Sequence, residues 1–156
     1  MVKTMTEIFV GSDNIVSPIG FSTAENFSQL KNCFTGVKLN DDKKMSDHPF
    51  QAALFVDENF YINKSATSYT KFEKLLVTSI AGALAGSHIS PSDKRTVLII
   101  SSTKGNVSLL ETEAPSEALT KRISLNTSAQ LVAGHFQFVN KPVIVSNACI
   151  SGMLAI

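Results

Sequence analysis

The residue best suited to covalent chemistry is Cys149, in the stretch VIVSNACISGMLAI. It follows a short apolar run, Val143 to Val145, and precedes an apolar helix start. An abrupt strand-to-helix switch lifts a side chain out of its sheet, as in the nucleophile elbow of serine hydrolases. Ala148, Ser151 and Gly152 supply the small neighbours that a crowded turn requires. A thiol at a helix N-terminus also feels free N–H groups and the positive end of the helix dipole, which favour the thiolate. Together these features point to a nucleophile that carries an acyl group as a thioester. The competing reading is a small core hydrophobe, since cysteine is among the most buried residue types.

Few other residues invite a chemical role. Cys33 reads as a buried or half-buried bystander on a first helix, and Lys104 and Lys141 as solvated loop charges. His48 falls in a charged loop, His88 at a helix C-terminus and His135 in an Ala-Gly-His helix. Each has a structural or surface reading. Three scattered histidines without a Cys-x-x-Cys pair argue against a zinc site.

At 156 residues the chain suits one domain with a substantial core. It is 44% hydrophobic and only 17% charged, so some apolar surface is expected to meet a partner. The formal charge is +1 and no basic patch stands out, which disfavours nucleic acid. Two cysteines make no secreted-type disulfide framework. The start has no signal-peptide core, and no apolar run nears the roughly 20 residues of a spanning helix. The expectation is a soluble protein of the reducing cytoplasm.

Alternating elements must position the cysteine. A short strand is expected at Ile8 to Val10, then a loop punctuated by Pro18 and Gly20. A helix follows, capped by Ser22 or Thr23 with Glu25 at capping-box spacing, and Gly36 is the expected stop. After a charged loop, FQAALFV suits a strand leading to a turn at Asp57-Glu58-Asn59. The clearest helix carries Tyr69, Phe72, Leu75, Leu76, Ile80, Ala83 and Leu84 at helical spacing, with Ser68 at the N-cap. Its Ala81, Gly82, Ala85 and Gly86 suit close packing on a sheet. TVLIIS, Thr96 to Ser101, reads as a strand buried on both faces. A short helix from about Val107, a piece around Pro115 and a helix over LNTSAQLVAGHFQF precede the strand before Cys149. The order predicts an α/β fold with a mostly parallel sheet flanked by helices.

These residues also resemble a known family. NACISGMLAI looks like the nucleophile segment of the β-ketoacyl synthases, condensing enzymes of the thiolase-like fold. NIVSPIG resembles the family's opening turn, and YTKFEKLLVTSIAGALAGSHIS its long helix before the second strand. VLIISSTKGN is similar to the strand and Gly-containing loop that follow. NTSAQLVAGHFQFVNKPVIVSNACISG follows the family's Ala-Gly-His helix, turn and nucleophile strand, with Asn140-Lys141-Pro142 in place of Lys-Gly-Pro. The likeness covers nearly the whole chain and is weakest from Val37 to Ser68.

The resemblance implies that residues 1–156 are the N-terminal portion of a layered αβαβα fold, truncated just after the nucleophile and incomplete. It makes Cys149 the acyl acceptor, with its own backbone N–H as one oxyanion donor. It implies a 3-oxoacyl-[acyl-carrier-protein] synthase of fatty-acid or polyketide synthesis, needing no bound cofactor. Its substrates would ride on the phosphopantetheine of an acyl carrier protein. The family's two catalytic histidines and supporting lysine have no counterpart here, so the chain alone is expected to be inactive. The implied partners are the carrier protein and either a homo- or heterodimer mate, paired along Val143 to Ser146, or a missing C-terminal half. The alternatives are a thiolase-type acyltransferase and a non-catalytic subunit acting through pairing.

Overall fold

The computed structural model describes residues 7–55 and 69–156 and is mixed α/β. Contacts group the chain into two units, Met1–Glu58 with Ser79–His88, and Asn59–Thr78 with Ile89–Ile156. No helix among the described residues is long and apolar enough to cross a membrane.

In the first unit, no strand forms at Ile8 to Val10, whose side chains are 80% to 88% exposed. Among the described residues nothing pairs with that backbone, so β-propensity alone does not make a strand there. The unit is organised instead by the Ser17–Gly20 turn, closed by two reciprocal backbone hydrogen bonds of 2.8 and 3.1 Å. The Asn26 amide fastens that turn to helix α1, Thr23–Lys31. It donates to the carbonyls of Ile15, Gly20 and Ser22 and accepts from the Ser17 hydroxyl. Gly20 is required by close approach, because a Cβ there would stand 2.9 Å from the Asn26 nitrogen.

Ser22 caps α1, accepting from the Glu25 N–H at 3.2 Å, while the Glu25 carboxylate accepts from Phe21 and not from the cap itself. The helix stops before Gly36. Cys33 takes the left-handed conformation, φ 56°, and Phe34 N–H reaches back to Gln29 O at 2.9 Å. Cys33 is exposed there, which corrects the buried reading. Strand β1, Val37–Asn40, then pairs antiparallel with β2, Phe50–Ala53. This hairpin is a two-stranded sheet of its own, so among the described residues the strands form separate short sheets, one antiparallel, where one mostly parallel sheet was expected. The turn expected at Asp57-Glu58-Asn59 lies outside the described residues, as does Ser68. The small residues Gly82 and Gly86 face Asn14 and Ser12 of a loop, where packing on a sheet was expected.

The second unit holds the apolar core, made of Val77, Leu98, Ile100, Leu119, Ala129, Val132 and Ala133. Helix α2, Lys71–Ala85, starts in this unit and is capped by Thr70, whose hydroxyl accepts from the Glu73 N–H while the Glu73 carboxylate accepts from the Thr70 N–H. That is a complete capping box. Strand β3, Ile99–Ser101, pairs in parallel with β4, Val143–Val145, in the register Ile99↔Val143 to Ser101↔Val145. Leu98 and Ile100 are buried, but Val97, Ile99 and Val143 remain nearly half exposed. The apolar run therefore buries one face among the described residues, not two. A two-stranded pair alternates its side chains and covers what one layer of helices can reach.

A 3₁₀ segment, Val107–Glu111, and helices α3, Glu117–Ile123, and α4, Leu125–His135, complete the layer between the strands. Helix α4 ends on left-handed Gln137, with Phe138 N–H bonded to Ala133 O at 2.9 Å. Asn140 donates to the carbonyls of Lys94 and Thr96 at 2.8 Å each. It ties the entry of β4 to the turn that precedes β3.

Candidate site at the Cys149 turn

Because β3 and β4 run parallel, the loops leaving their C-terminal ends, residues 102–106 and 146–150, start from the same edge of the pair. The Ser102 N–H donates to Val145 O at 3.2 Å, so the register persists into the first loop. Carboxyl ends of parallel strands are where α/β proteins place ligands.

After β4 the backbone turns sharply at Ala148, whose φ is 42°, into a 3₁₀ turn, Ala148–Ile150, and the short helix α5, Ser151–Leu154. A left-handed alanine costs about 1 kcal/mol, and compensating contacts must hold it. Ser151 supplies them. Its buried hydroxyl accepts from the Asn147 N–H at 2.7 Å and donates to Ala148 O at 2.8 Å. The clamp closes the turn on either side of Cys149.

Cys149 itself is exposed, and among the described residues its backbone N–H makes no hydrogen bond. Donor and thiol therefore belong to the same residue and face no competing partner. Two supporting expectations change. A Cβ on Gly152 would meet nothing within 4 Å, so crowding does not dictate glycine there. Helix α5 spans four residues, too few for a sizeable dipole, which leaves the open N–H as the turn's electrostatic asset.

The neighbouring loop is held from below. Ser102 Oγ accepts from the N–H groups of Lys104 and Gly105 at 3.3 and 3.2 Å. Gly105 is left-handed, φ 55°, and a Cβ on it would stand 2.5 Å from Leu125 Cδ2. Asn106, buried, then enters a polar cluster that the sequence reading missed. Its Nδ2 donates to Glu73 Oε1 at 3.1 Å, Ser128 Oγ at 3.0 Å and Arg122 O at 3.2 Å, and its Oδ1 accepts from Thr70 Oγ1 at 2.7 Å.

Glu73 is fully buried at the centre, accepts from Ser128 Oγ at 2.7 Å and is gripped by both terminal nitrogens of Arg122. Burial pushes its carboxyl up. The Arg122 guanidinium, then the Thr70 N–H, Ser128 and Asn106, outweigh that and bring it down to about 2. Arg122 is pushed up in turn by its bond to Glu73, with burial opposing. The sequence carried one signal for this cluster, the Thr70-x-x-Glu73 capping spacing.

The histidines do not gather at Cys149. His135 ends α4, within 3.3 Å of the Tyr69 hydroxyl and edge-on to Phe136, before the turn that enters β4 from its other end. His48 and His88 are exposed residues of the first unit. Lys141 is exposed in the turn before β4, and Lys104 is exposed on the 102–106 loop. No group of three or more potential metal ligands occurs among the described residues. No protein-family model matches the chain, and no curated protein matches it, so the likeness to the β-ketoacyl synthases rests on the residues quoted above.

Proposed function

We propose that this chain is the nucleophile-bearing portion of a β-ketoacyl synthase with a thiolase-like layered fold, acting in the cytoplasm. The Cys149 thiolate attacks the carbonyl carbon of an acyl thioester on phosphopantetheine. The Cys149 N–H stabilises the oxyanion of the tetrahedral intermediate, and one such donor is worth roughly 10²–10³ in rate. Collapse of the intermediate expels the pantetheine thiolate, which takes up a proton, and leaves the acyl group on Cys149. Decarboxylation of the malonyl partner and carbon–carbon bond formation draw on histidines and a lysine supplied from outside these residues. A thiolase-type acyltransferase shares the first step and differs in taking its acyl group from coenzyme A without a carrier protein.

The observation that carries this reading is the exposed thiol and uncommitted N–H of Cys149 on a turn clamped by Ser151. The test is intact mass after incubation with an acyl-carrier-protein thioester, comparing Cys149→Ala with Cys33→Ala. One acyl adduct is expected, lost only in Cys149→Ala. Equal labelling of both cysteines, or of neither, overturns acyl transfer by this chain. A pairing subunit is the second reading, favoured by the apolar face of Val97, Ile99 and Val143. It predicts a dimer whose Cys149 stays unmodified.

A further inference from the structure

The two loops at the C-terminal edge of β3 and β4 read Ser-Thr-Lys-Gly-Asn and Ser-Asn-Ala-Cys-Ile. Together they carry one cation, Lys104, and no acid. Lys104 stands three residues beyond Ser101 and Cys149 four beyond Val145, on strands in direct register at those residues. Among the described residues the Lys104 ammonium makes no ion pair, so its charge is open to solvent on the exposed loop. The backbone that carries Lys104 is fixed on both sides, by Ser102 Oγ before it and by the Glu73–Asn106 cluster after it.

A fully buried carboxylate with four kinds of donor is an expensive way to anchor a loop whose outer surface offers a single charge. We propose that the Glu73–Asn106 cluster positions Lys104 to attract a negatively charged acyl donor to Cys149. This rests on the acyl-transfer reading of Cys149. The charge sits on one of two places, a carboxylate on the transferred group or a phosphate on the carrier arm, and both meet the ammonium by the same Coulomb attraction. A unit charge within about 8 Å in water changes the encounter rate by about two- to threefold, and salt screens the effect.

The test measures Cys149 modification by intact mass in a Cys33→Ala background. Iodoacetate is compared with neutral iodoacetamide, and an acyl-phosphopantetheine with the matching acyl-pantetheine. Lys104→Met is expected to lower the anionic-to-neutral rate ratio about two- to threefold in at least one pair, with Lys104→Arg retaining it and 0.5 M salt erasing the difference. Loss in the iodoacetate pair places the charge on the transferred group, and loss in the pantetheine pair places it on the carrier. An unchanged ratio in both pairs overturns the proposal. Asn106→Ala must lower the same ratio while far-ultraviolet circular dichroism shows the fold intact. A folded Asn106→Ala with the parental ratio removes the positioning role. Thr70→Val, which deletes one bond to Asn106 and the hydroxyl that caps the Glu73 N–H, is the second variant, expected to lower the ratio by a smaller factor. The alkylation ratios need no acyl transfer, so they separate failure of this inference from failure of the acyl-transfer reading.

Discussion

The two units bury different kinds of residue. Every buried apolar side chain among the described residues belongs to the second, together with Glu73 and its donors. In the first, the buried residue among those described is Asn26, while Ile8, Phe9, Val10, Phe27 and Leu30 are exposed. Apolar burial contributes about 25 cal/mol per Å², whereas a satisfied hydrogen bond nets only about 1 kcal/mol. The second unit is therefore expected to carry most of the chain's stability, and it is the one that holds Cys149. The first is a turn knotted around one amide. A shared motif sharpens the contrast. Both units start a helix with a Ser/Thr-x-x-Glu spacing, but Glu25 bonds an exposed loop and Glu73 the interior.

The largest expected effect follows from Glu73. Glu73→Ala removes the carboxylate that Arg122, Asn106 and Ser128 all bond in the interior, at a cost of about 3–5 kcal/mol. Urea unfolding followed by circular dichroism reads that loss. Asn26→Ala removes uncharged bonds and is expected to cost about 1–3 kcal/mol, confined to the first unit. A Glu73→Ala cost below that of Asn26→Ala would break the contrast between the units.

Acid supplies the next test. The Glu73 carboxyl lies at about 2 in the folded protein against an ordinary 4.5, so it binds its proton more readily when unfolded. Its contribution, on the order of 3 kcal/mol, is fully present above about pH 4.5 and is lost as pH falls toward 2. Urea midpoints across that window are expected to fall steeply in the parent and less in Glu73→Gln, which has no charge to lose. Equal slopes would remove Glu73 as the acid-sensitive group.

What the sequence made legible was mostly local. Helix α1, helix α4, β4 and the cap at Ser22 follow from period, composition and capping residues that act within a few positions. The missed strand β1 and the absent strand at Ile8 to Val10 share a cause, because pairing is decided by a partner distant in sequence. The stop of α1 was misplaced for another reason. Glycine is the usual left-handed cap, but Cys33 occupies that conformation three residues before Gly36. At the candidate site, Cys149 and its turn were legible, since strand, small residues and helix start are contiguous. Glu73, Asn106, Arg122 and Ser128 were not, because four separated segments meet to make the cluster. Ser151 was read as merely small, and its two hydrogen bonds show that the hydroxyl matters as much as the size.

The smallest expected effects use one left-handed non-glycine residue from each unit. Cys33→Gly relieves φ 56° and is expected to add about 0.5–1 kcal/mol, seen as slower hydrogen exchange of the α1 amides. Ala148→Gly relieves φ 42° and is expected to add a similar amount in the second unit. Their consequences for chemistry should diverge. Cys33 N–H is committed to Leu30 O at the closing end of a helix, so its replacement leaves acylation at Cys149 unchanged. Ala148 sets the direction of the next residue, and a glycine there frees the backbone that aims the Cys149 N–H. Ala148→Gly is thus expected to slow acylation severalfold although it stabilises the fold, a trade common where strain serves function. Equal acylation in the two glycine variants would mean that the Ser151 clamp alone defines the turn, and the strain at Ala148 would then be incidental to the nucleophile.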